Sequence, residues 1–226
     1  MKRYIFTLLL TCFSSISFSQ IHEVGFFLGG SNIIGDIGAS NYVSPNQIAG
    51  GLVYKYNLNP RIAIRGNYNY IPVSAADIDS DNLFRQQRNF SISNTIHELA
   101  VGLEFNFFDY NIRIREQSFT PYILAQVAAN NYQSPDRQQG TEILFTNKFS
   151  YAIPVGVGVK GRISDHLAYG LEVAVRLTFD DDLDYTVNDI PVLDFGGNGN
   201  DFYTFAGFSI VYTFGRPACY ADQNNL

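Results

Sequence analysis

The sequence predicts an all-β protein, namely an eight-stranded antiparallel transmembrane β-barrel with short periplasmic turns and long extracellular loops. Three observations lead to this fold class. Eight segments alternate large apolar residues with small or charged residues, which is the period of a strand with two different faces. Short and long connectors alternate between these segments. The chain has no stretch of about 18 uninterrupted apolar residues that would predict a membrane-spanning helix.

The first 19 residues are predicted to be a signal peptide. Lys2 and Arg3 supply a positive n-region, residues 4–13 form an apolar core, and Ser17 and Ser19 occupy the small-residue positions of a cleavage site. This core is too short to span a bilayer, which takes about 20 residues. The predicted organisation is a signal peptide (1–19), an outer-membrane β-barrel (20–215) and a periplasmic C-terminal tail (216–226).

The first four segments alternate clearly, apart from Phe27, which falls among small residues. They cover about 22–30, 48–57, 61–71 and 95–108. The large residues on one face are Val24, Phe26 and Leu28; Ile48, Leu52, Tyr54 and Tyr56; Ile62, Ile64, Tyr68 and Tyr70; and Leu99, Val101, Leu103, Phe105 and Phe107. Opposite them stand Glu23, Gly25 and Gly29; Ala49, Gly51 and Lys55; Ala63, Arg65, Asn67 and Asn69; and Glu98, Ala100, Gly102, Glu104 and Asn106.

The last four segments include the clearest hairpin, between Phe149 and Phe179. The fifth segment, about 119–130, is less regular, and its predicted outward residues are Ile123, Ala125 and Val127 against Tyr122, Gln126 and Ala128. Both strands of the hairpin alternate large apolar residues with other residues. In the first strand the large residues are Ile153, Val155, Val157 and Val159, and between them stand Pro154, Gly156, Gly158 and Lys160. In the second strand the large residues are Tyr169, Leu171, Val173, Val175 and Leu177, and between them stand Gly170, Glu172, Ala174 and Arg176. The eighth segment, about 201–214, sets Phe202, Phe208, Ile210, Tyr212 and Phe214 against Tyr203, Gly207, Ser209 and Thr213.

Connector length separates the two ends of the predicted barrel. The connectors after the second, fourth and sixth segments are short, at 58–60, about 109–118 and 163–166. Those after the other segments are long, at about 31–47, 72–94, 131–148 and 180–200. Short turns on one rim and long loops on the other are typical of outer-membrane barrels, whose short turns are periplasmic. An even number of strands leaves both termini on that side.

The main alternative is a soluble barrel of lipocalin type, in which the large apolar residues would point inward. Side-chain volume favours the membrane barrel, because the interior of an eight-stranded barrel is just wide enough for side chains to fill it. The glycines and alanines of the charged face suit such an interior, whereas glycine on a wet exterior only weakens a strand. The tyrosines and phenylalanines of the other face would overfill the same space.

The charged residues of the small-residue face balance in sign. They are Glu23, Glu98, Glu104 and Glu172 against Lys55, Arg65, Lys160 and Arg176. Because an isolated buried charge is costly, four residues of each sign predict a paired charge network inside a plugged lumen. The alternative is a solvated charged face. Aromatic residues near strand ends, including Tyr54, Tyr56, Tyr68 and Tyr70, predict girdles at the headgroup boundary, concentrated beside the short turns.

The sequence motifs predict no catalytic, cofactor-binding or metal-binding residue. The segment 156–161 matches G-x-G-x-x-G but lies inside an alternating strand and leads into a turn rather than a helix. Residues 77–81 resemble a calcium loop whose glycine and glutamate positions are wrong, and the aspartates at 180–184 are interpreted as a solvated loop. An enzyme with dispersed catalytic residues remains a minor alternative. The net charge of -6 argues against a nucleic-acid partner.

Both ends of the mature chain resemble the PorG family of the Bacteroidota type IX secretion system. The resemblance lies in residues 23–38 (EVGFFLGGSNIIGDIG) and in 214–220 (FGRPACY), which follow a last strand rich in phenylalanine and tyrosine. Asn59-Pro60-Arg61 after the second strand also fits. The resemblance spans about residues 22–220, with its sharpest motifs at the two ends. The loops at 72–94 and 131–148 add nothing diagnostic.

The resemblance implies a non-enzymatic outer-membrane component of the secretion system that contacts a periplasmic ring of PorK and PorN type. It would serve protein export and, in gliding species, motility. Arg216, Pro217, Cys219 and Tyr220 are then the candidate partner-binding residues, with Cys219 either packed as a free thiol or cross-linked to a partner. The alternative function is a stand-alone structural or small-solute barrel like OmpA or OmpX, embedded in outer-membrane lipid.

Overall fold

The computed structural model describes residues 21–39, 41, 43–112, 118–195 and 199–215. The predicted signal peptide and the predicted tail, with Arg216, Pro217, Cys219 and Tyr220, lie outside the described residues. Every structural statement below concerns the described part of the chain.

Eight antiparallel strands form one closed barrel in which neighbours in sequence are neighbours in space. They are β1 (Ile21–Ile34), β2 (Gln47–Asn57), β3 (Ile62–Ala76), β4 (Ser91–Asn106), β5 (Phe119–Gln139), β6 (Glu142–Arg162), β7 (Leu167–Thr178) and β8 (Phe202–Phe214). The ring closes between β1 and β8, where Phe26 stands opposite Ile210. The predicted fold class is therefore confirmed.

The alternation of the sequence separates the outside of the barrel from its inside. Outward side chains are large and apolar, and Leu99 and Val127 are 66% and 63% exposed. Many inward side chains are small or charged, and Ala63 and Glu104 are both 0% exposed. The predicted phase is correct in every strand, including the irregular fifth strand, where Ile123 is exposed and its neighbours in sequence are not.

Aromatic residues occupy both ends of the outer surface. Near the short turns, the His22 ring stacks on Phe214 at 5.4 Å and donates or accepts a 2.7 Å hydrogen bond with the Tyr54 hydroxyl. Tyr68 and Tyr70 were expected beside the short turns too, but they lie toward the other end. β3 starts at the short-turn rim, so residues late in this strand approach the long loops, where Tyr70 pairs with His97 of β4.

Three of the four connections on the long-loop rim are loops, at 35–46, 77–90 and 179–201. The second contains a 3-10 turn (Asp77–Asp79) and a short helix, α1 (Leu83–Arg88). Within the described residues, neither helix is long and apolar enough to cross a membrane. The connectors on the opposite rim are 58–61, 107–118 and 163–166, which matches the predicted segregation of connector length.

The fourth connection on the long-loop rim differs from the predicted loop at 131–148. β5 and β6 each run for 21 residues and meet at a two-residue turn, Gly140-Thr141. Gly140 has a φ of +68°, a left-handed conformation that glycine adopts without strain. This segment was missed because residues 133–142 include no large apolar residue, so the apolar alternation that identifies a strand stops near residue 130 although the strand continues.

The inside of the barrel has two layers. Toward the long loops it is apolar, with Ile71, Ile96 and Phe205 packed around Ile37 and Leu183, which fold in from the first and last loops. Toward the short turns it is polar and charged. The apolar layer was not predicted, because its loop residues follow no strand period.

Candidate functional site

The Glu104 cluster fills the polar half of the lumen, and we define it as Lys55, Arg65, Glu104, Lys160 and Glu172. Alternation turns one residue from each contributing strand inward, and the barrel radius brings these side chains together. The Lys160 ammonium lies 2.5 Å and the Lys55 ammonium 2.7 Å from the Glu104 carboxylate, with Arg65 at 3.4 Å. Arg65 also pairs with Glu172. Each side chain is at most 9% exposed.

Aromatic rings complete the Glu104 cluster. The Tyr122 hydroxyl donates a 2.8 Å hydrogen bond to Glu172. The Lys160 ammonium lies 4.5 Å from the centre of the Tyr110 ring, within the range of a cation–π contact. Tyr110 and Ile112 belong to the connector between β4 and β5 and are both buried, so these two residues cover the short-turn mouth of the lumen.

A second group, the Glu98 cluster, lies closer to the apolar layer and consists of Asn69, Glu98, Arg176 and Tyr203. Arg176 Nε lies 3.5 Å from Glu98 Oε2, and the Tyr203 hydroxyl donates a 2.6 Å hydrogen bond to the same oxygen. Asn69 donates to the other oxygen of Glu98. The carboxylate of Glu98 therefore contacts two neutral donors, Tyr203 and Asn69, in addition to Arg176.

Glu23 is the one member of the predicted network that pairs with no cation in the described part of the chain. It faces Lys55 across the β1–β2 ladder, but Lys55 turns to Glu104 instead. Glu23 Oε1 accepts a 2.9 Å hydrogen bond from Asn57, and Oε2 has no hydrogen-bond partner among the described residues. The structure thus brings seven of the eight predicted residues into ion pairs and leaves the eighth beside them.

Asp77 anchors the long-loop rim. Arg88 donates two hydrogen bonds to this carboxylate, at 2.6 and 2.8 Å, and the amides of Gly38 and Phe90 donate two more. Burial opposes ionisation, but these donors hold the pKa of Asp77 below its usual range. The segment that resembled a calcium loop therefore contains a loop-fixing ion pair.

Three aspartates gather where the first and last loops meet. Asp184 accepts a 2.7 Å hydrogen bond from the Asp36 amide, and Asp201 accepts one of 3.0 Å from the Asp184 amide. Burial, and next the charge of Asp184, raises the pKa of Asp201 to about 9. Within the described residues no group of three or more His, Cys, Asp or Glu side chains is arranged to hold a metal ion.

A surface cleft of about 720 Å³, called here the rim cleft, separates the β5–β6 hairpin from the last loop. Its sides include Ser134, Asp136 and Lys148 from the hairpin and Asp182 and Asp189 from the loop. Lys148 joins the two sides, because its ammonium lies 2.7 Å from Asp180 and 2.9 Å from Asp182. Sequence reasoning missed this cleft because its hairpin was assigned to a loop. The run of aspartates at 180–184 was the only signal there.

Comparison with known proteins identifies a protein family that matches this chain. Residues 2–223 match the family described as "Domain of unknown function (DUF6089)". No curated protein matches the sequence.

Solved structures similar to this chain include bacterial β-barrels of the outer membrane. The N-terminal β-barrel domain of OprF from Pseudomonas aeruginosa is 10% identical with a TM-score of 0.48, over 87% of this chain and 98% of that chain. Ail of Yersinia pestis, in complex with the heparin analogue sucrose octasulfate, is 10% identical with a TM-score of 0.49, over 87% and 99%. The Neisserial surface protein NspA is 10% identical with a TM-score of 0.48, over 87% and 96%. Identities this low transfer no function.

Proposed function

Because this chain belongs to the DUF6089 family and closes into an eight-stranded barrel, we propose that it is an integral outer-membrane protein that acts by contact with partners rather than by catalysis or transport. The observation that carries this proposal is a barrel with an apolar exterior and an ion-paired interior. Exposing this apolar exterior to water would be unfavourable, whereas the hydrocarbon of the outer membrane is an apolar environment that suits it.

The interior supports a role without transport. The Glu104 and Glu98 clusters occupy the lumen, and both mouths are covered, by Tyr110 and Ile112 at one end and by Ile37 and Leu183 at the other. A solute would have to break buried ion pairs to pass, at a cost of several kcal/mol.

The rim with short turns would face the periplasm, as in other outer-membrane barrels. The chain enters β1 and leaves β8 at this rim, where His22 pairs with Phe214. Both termini of the mature chain would then be periplasmic. A tail that begins at this rim is well placed to meet a periplasmic partner.

The narrower proposal is a component of the type IX secretion system that contacts a periplasmic ring of PorK and PorN type. Its support is the sequence resemblance of residues 23–38 and 214–220 to the PorG family. In this proposal Arg216, Pro217, Cys219 and Tyr220 form the docking segment, and protein export and gliding motility depend on the contact. The alternative is a stand-alone barrel like OmpA or OmpX, which the plugged lumen fits equally well.

Co-purification distinguishes the two functions. The full-length protein, tagged in an exposed loop, is extracted from cross-linked outer membranes of the native host and compared with a variant that stops after Gly215. The expected result is a periplasmic lipoprotein complex with the intact chain and little or none with the shortened chain. Recovery of the barrel alone from both would overturn the secretion proposal in favour of the stand-alone barrel.

Two further measurements test the broader proposal. The protein is expected in the outer-membrane fraction after carbonate washing. Planar-bilayer recordings of the purified barrel are expected to show no steady conductance in the nanosiemens range. A stable open channel would contradict a function by contact.

A further inference from the structure

The β5–β6 hairpin carries an unpaired strand edge beyond the barrel. β4 pairs with β5 only as far as Asn131, and β7 pairs with β6 only as far as Ala152. In the described residues, 132–139 and 142–151 therefore pair only with each other. A strand edge of this length presents a row of free amide and carbonyl groups, which is a template for another extended chain.

The rim cleft lies between the hairpin and the last loop, and β6, whose outer edge is free, is one of the two strands that line it. Residues 134–136 of β5 and 146–149 of β6 form one side, and residues 181–182 and 186–190 of the last loop form the other. Its volume of about 720 Å³ is within the range of drug-sized ligand sites, about 300–1,000 Å³. The strand with the free edge is therefore part of a bounded groove rather than of a flat surface.

The lining of the cleft is acidic. Among the described residues that line it, four are aspartates, and the one cation, Lys148, is already paired with Asp180 and Asp182. Asp181 and Asp189 make no ion pair or side-chain hydrogen bond within the described residues. Burial, followed by the charges of Asp36, Asp184 and Asp182, raises the pKa of Asp181 to about 6. An incoming cation would relieve this repulsion.

Two further features point to an occupant. Thr186 lines the cleft, is 2% exposed, and its buried hydroxyl has no hydrogen-bond partner among the described residues. Since a buried polar group is normally satisfied, the wall of the cleft holds an unused hydrogen-bonding group. Pro135, Phe149 and Val187 add apolar surface to the same cleft, on which the methylene stems of lysine or arginine can lie.

We infer that the rim cleft binds an extended, lysine- or arginine-rich segment of a protein partner, which adds as a strand to the free edge of β6 between residues 142 and 151. Main-chain hydrogen bonds to the edge give the affinity, and alternate basic side chains reach Asp181 and Asp189. This inference goes beyond the proposed function, because the cleft lies on the rim opposite the tail.

The test uses the full mature chain in lipid nanodiscs and a fluorescent ten-residue peptide that alternates lysine with threonine. Binding is measured by anisotropy, and amide hydrogen exchange reports protection of residues 142–151. The control peptides replace each lysine by glutamate, or replace two threonines by proline while keeping every lysine. Spermidine serves as a competitor that has the charge but no backbone.

The expected result is saturable binding of the lysine peptide with slowed amide exchange in 142–151. The proline peptide should bind about tenfold more weakly, the glutamate peptide should not bind, and spermidine should compete poorly. Equal binding of the lysine and proline peptides, or strong competition by spermidine, would show a simple attraction of cations and overturn strand addition. Absence of saturable binding would overturn the inference as a whole.

Variants locate the site. Thr146→Lys places a positive charge in the cleft, and the matched control Gln138→Lys makes the same charge change on the other strand of the hairpin. Asp181→Asn and Thr146→Lys should each weaken binding about tenfold, and Gln138→Lys should leave it within twofold of the wild type. If all three variants bind equally, the peptide occupies a different surface and the inference is wrong.

Discussion

The Lys160 ammonium lies 2.5 Å from Glu104 Oε1, and Lys55 lies 2.7 Å from the other oxygen of the same carboxylate. One glutamate thus serves two lysines and, at 3.4 Å, Arg65. Removing one side of a buried ion pair is more damaging than never having had the pair, because the remaining charges keep their desolvation cost. Glu104 is therefore the residue on which the polar layer of the barrel depends most.

We predict that Glu104→Gln destabilises the barrel by about 3–5 kcal/mol, the usual cost of breaking a buried pair. Glutamine preserves the shape of the side chain but leaves Lys55 and Lys160 without a carboxylate. The measurement is urea unfolding in detergent micelles. The folded fraction is determined on unheated gels, on which the folded and the unfolded barrel migrate differently.

The matched control for this prediction is Glu142→Gln at the exposed tip of the hairpin, which makes the same charge change and should leave the unfolding midpoint unchanged. Adding Lys160→Met to Glu104→Gln should recover part of the lost stability, because it removes one unpaired cation. Equal stability of Glu104→Gln and the wild type would mean that the lumen is hydrated enough to tolerate free charges.

The alternation of the sequence predicted eight strands and their two faces, although it missed the outer parts of β5 and β6. It succeeds because one face of a membrane barrel meets lipid and the other meets the packed lumen. For that reason all eight charged residues could be assigned to the lumen from sequence position alone. The partners within the lumen could not, since strand tilt and stagger decide which side chains meet. Glu23 shows the difference, because it faces Lys55 on the neighbouring strand yet forms no ion pair with it.

The structure at the long-loop rim could not be predicted from the sequence, for a different reason. Ile37 and Leu183 plug the barrel from irregular loops, and a single apolar residue in a loop has no period that reports its position. Residues 133–142 at the tip of the β5–β6 hairpin include no large apolar residue, so the alternation that identifies a strand is absent there. The rim cleft depends on both features and therefore could not be inferred before the structure.

Glycine positions give a second prediction, because inward and outward glycines face different neighbours. A β-carbon at Gly102, inside the barrel, would lie 2.1 Å from the Ala125 carbonyl oxygen, whereas one at Gly66, outside, would meet only the Ala100 oxygen at 3.9 Å. Gly102→Ala should cost about 1–3 kcal/mol through overpacking, and Gly66→Ala should be neutral or slightly stabilising. Thermal unfolding in the same detergent compares the two, and an equal effect would contradict the assignment of faces.

The lipid-facing surface gives a third prediction. Val157 and Val173 stand opposite each other on β6 and β7 and are 59% and 38% exposed. Val157→Arg and Val173→Arg should each cost about 2–4 kcal/mol, as arginine does near the midplane of a bilayer. Folding into lipid vesicles is the measurement, with Val157→Leu and Thr141→Arg at the hairpin turn as controls. If the two arginine variants in the belt fold as efficiently as the controls, this surface does not face hydrocarbon.

The fourth prediction concerns pH and the junction of the first and last loops, where Asp201 is 1% exposed. Its neighbours are Asp36, Asp181 and Asp184, and burial followed by Asp184 raises its pKa from 3.8 to about 9. A carboxyl whose pKa rises on folding binds its proton more tightly in the folded chain. Stability contributed by this group is therefore complete below about pH 4 and is lost progressively as the pH rises toward 9.

Asp201→Asn keeps an acceptor for the Asp184 amide and supplies a permanent N–H donor beside the aspartates. It should therefore remove the part of the pH dependence that comes from Asp201 and leave the smaller part that comes from Asp181, whose pKa is raised to about 6. At pH 8 we expect the variant to be more stable than the wild type by about 1–3 kcal/mol, the range for relieving an unsatisfied buried group. Amide exchange in residues 179–195 and thermal unfolding, each at pH 5 and pH 8, provide the measurement. Asp189→Asn, on the exposed surface of the same loop, is the control and should follow the wild type at both pH values. A wild-type protein whose loop is equally protected at pH 5 and pH 8 would show that Asp201 is ionised throughout, and the variant would then gain nothing.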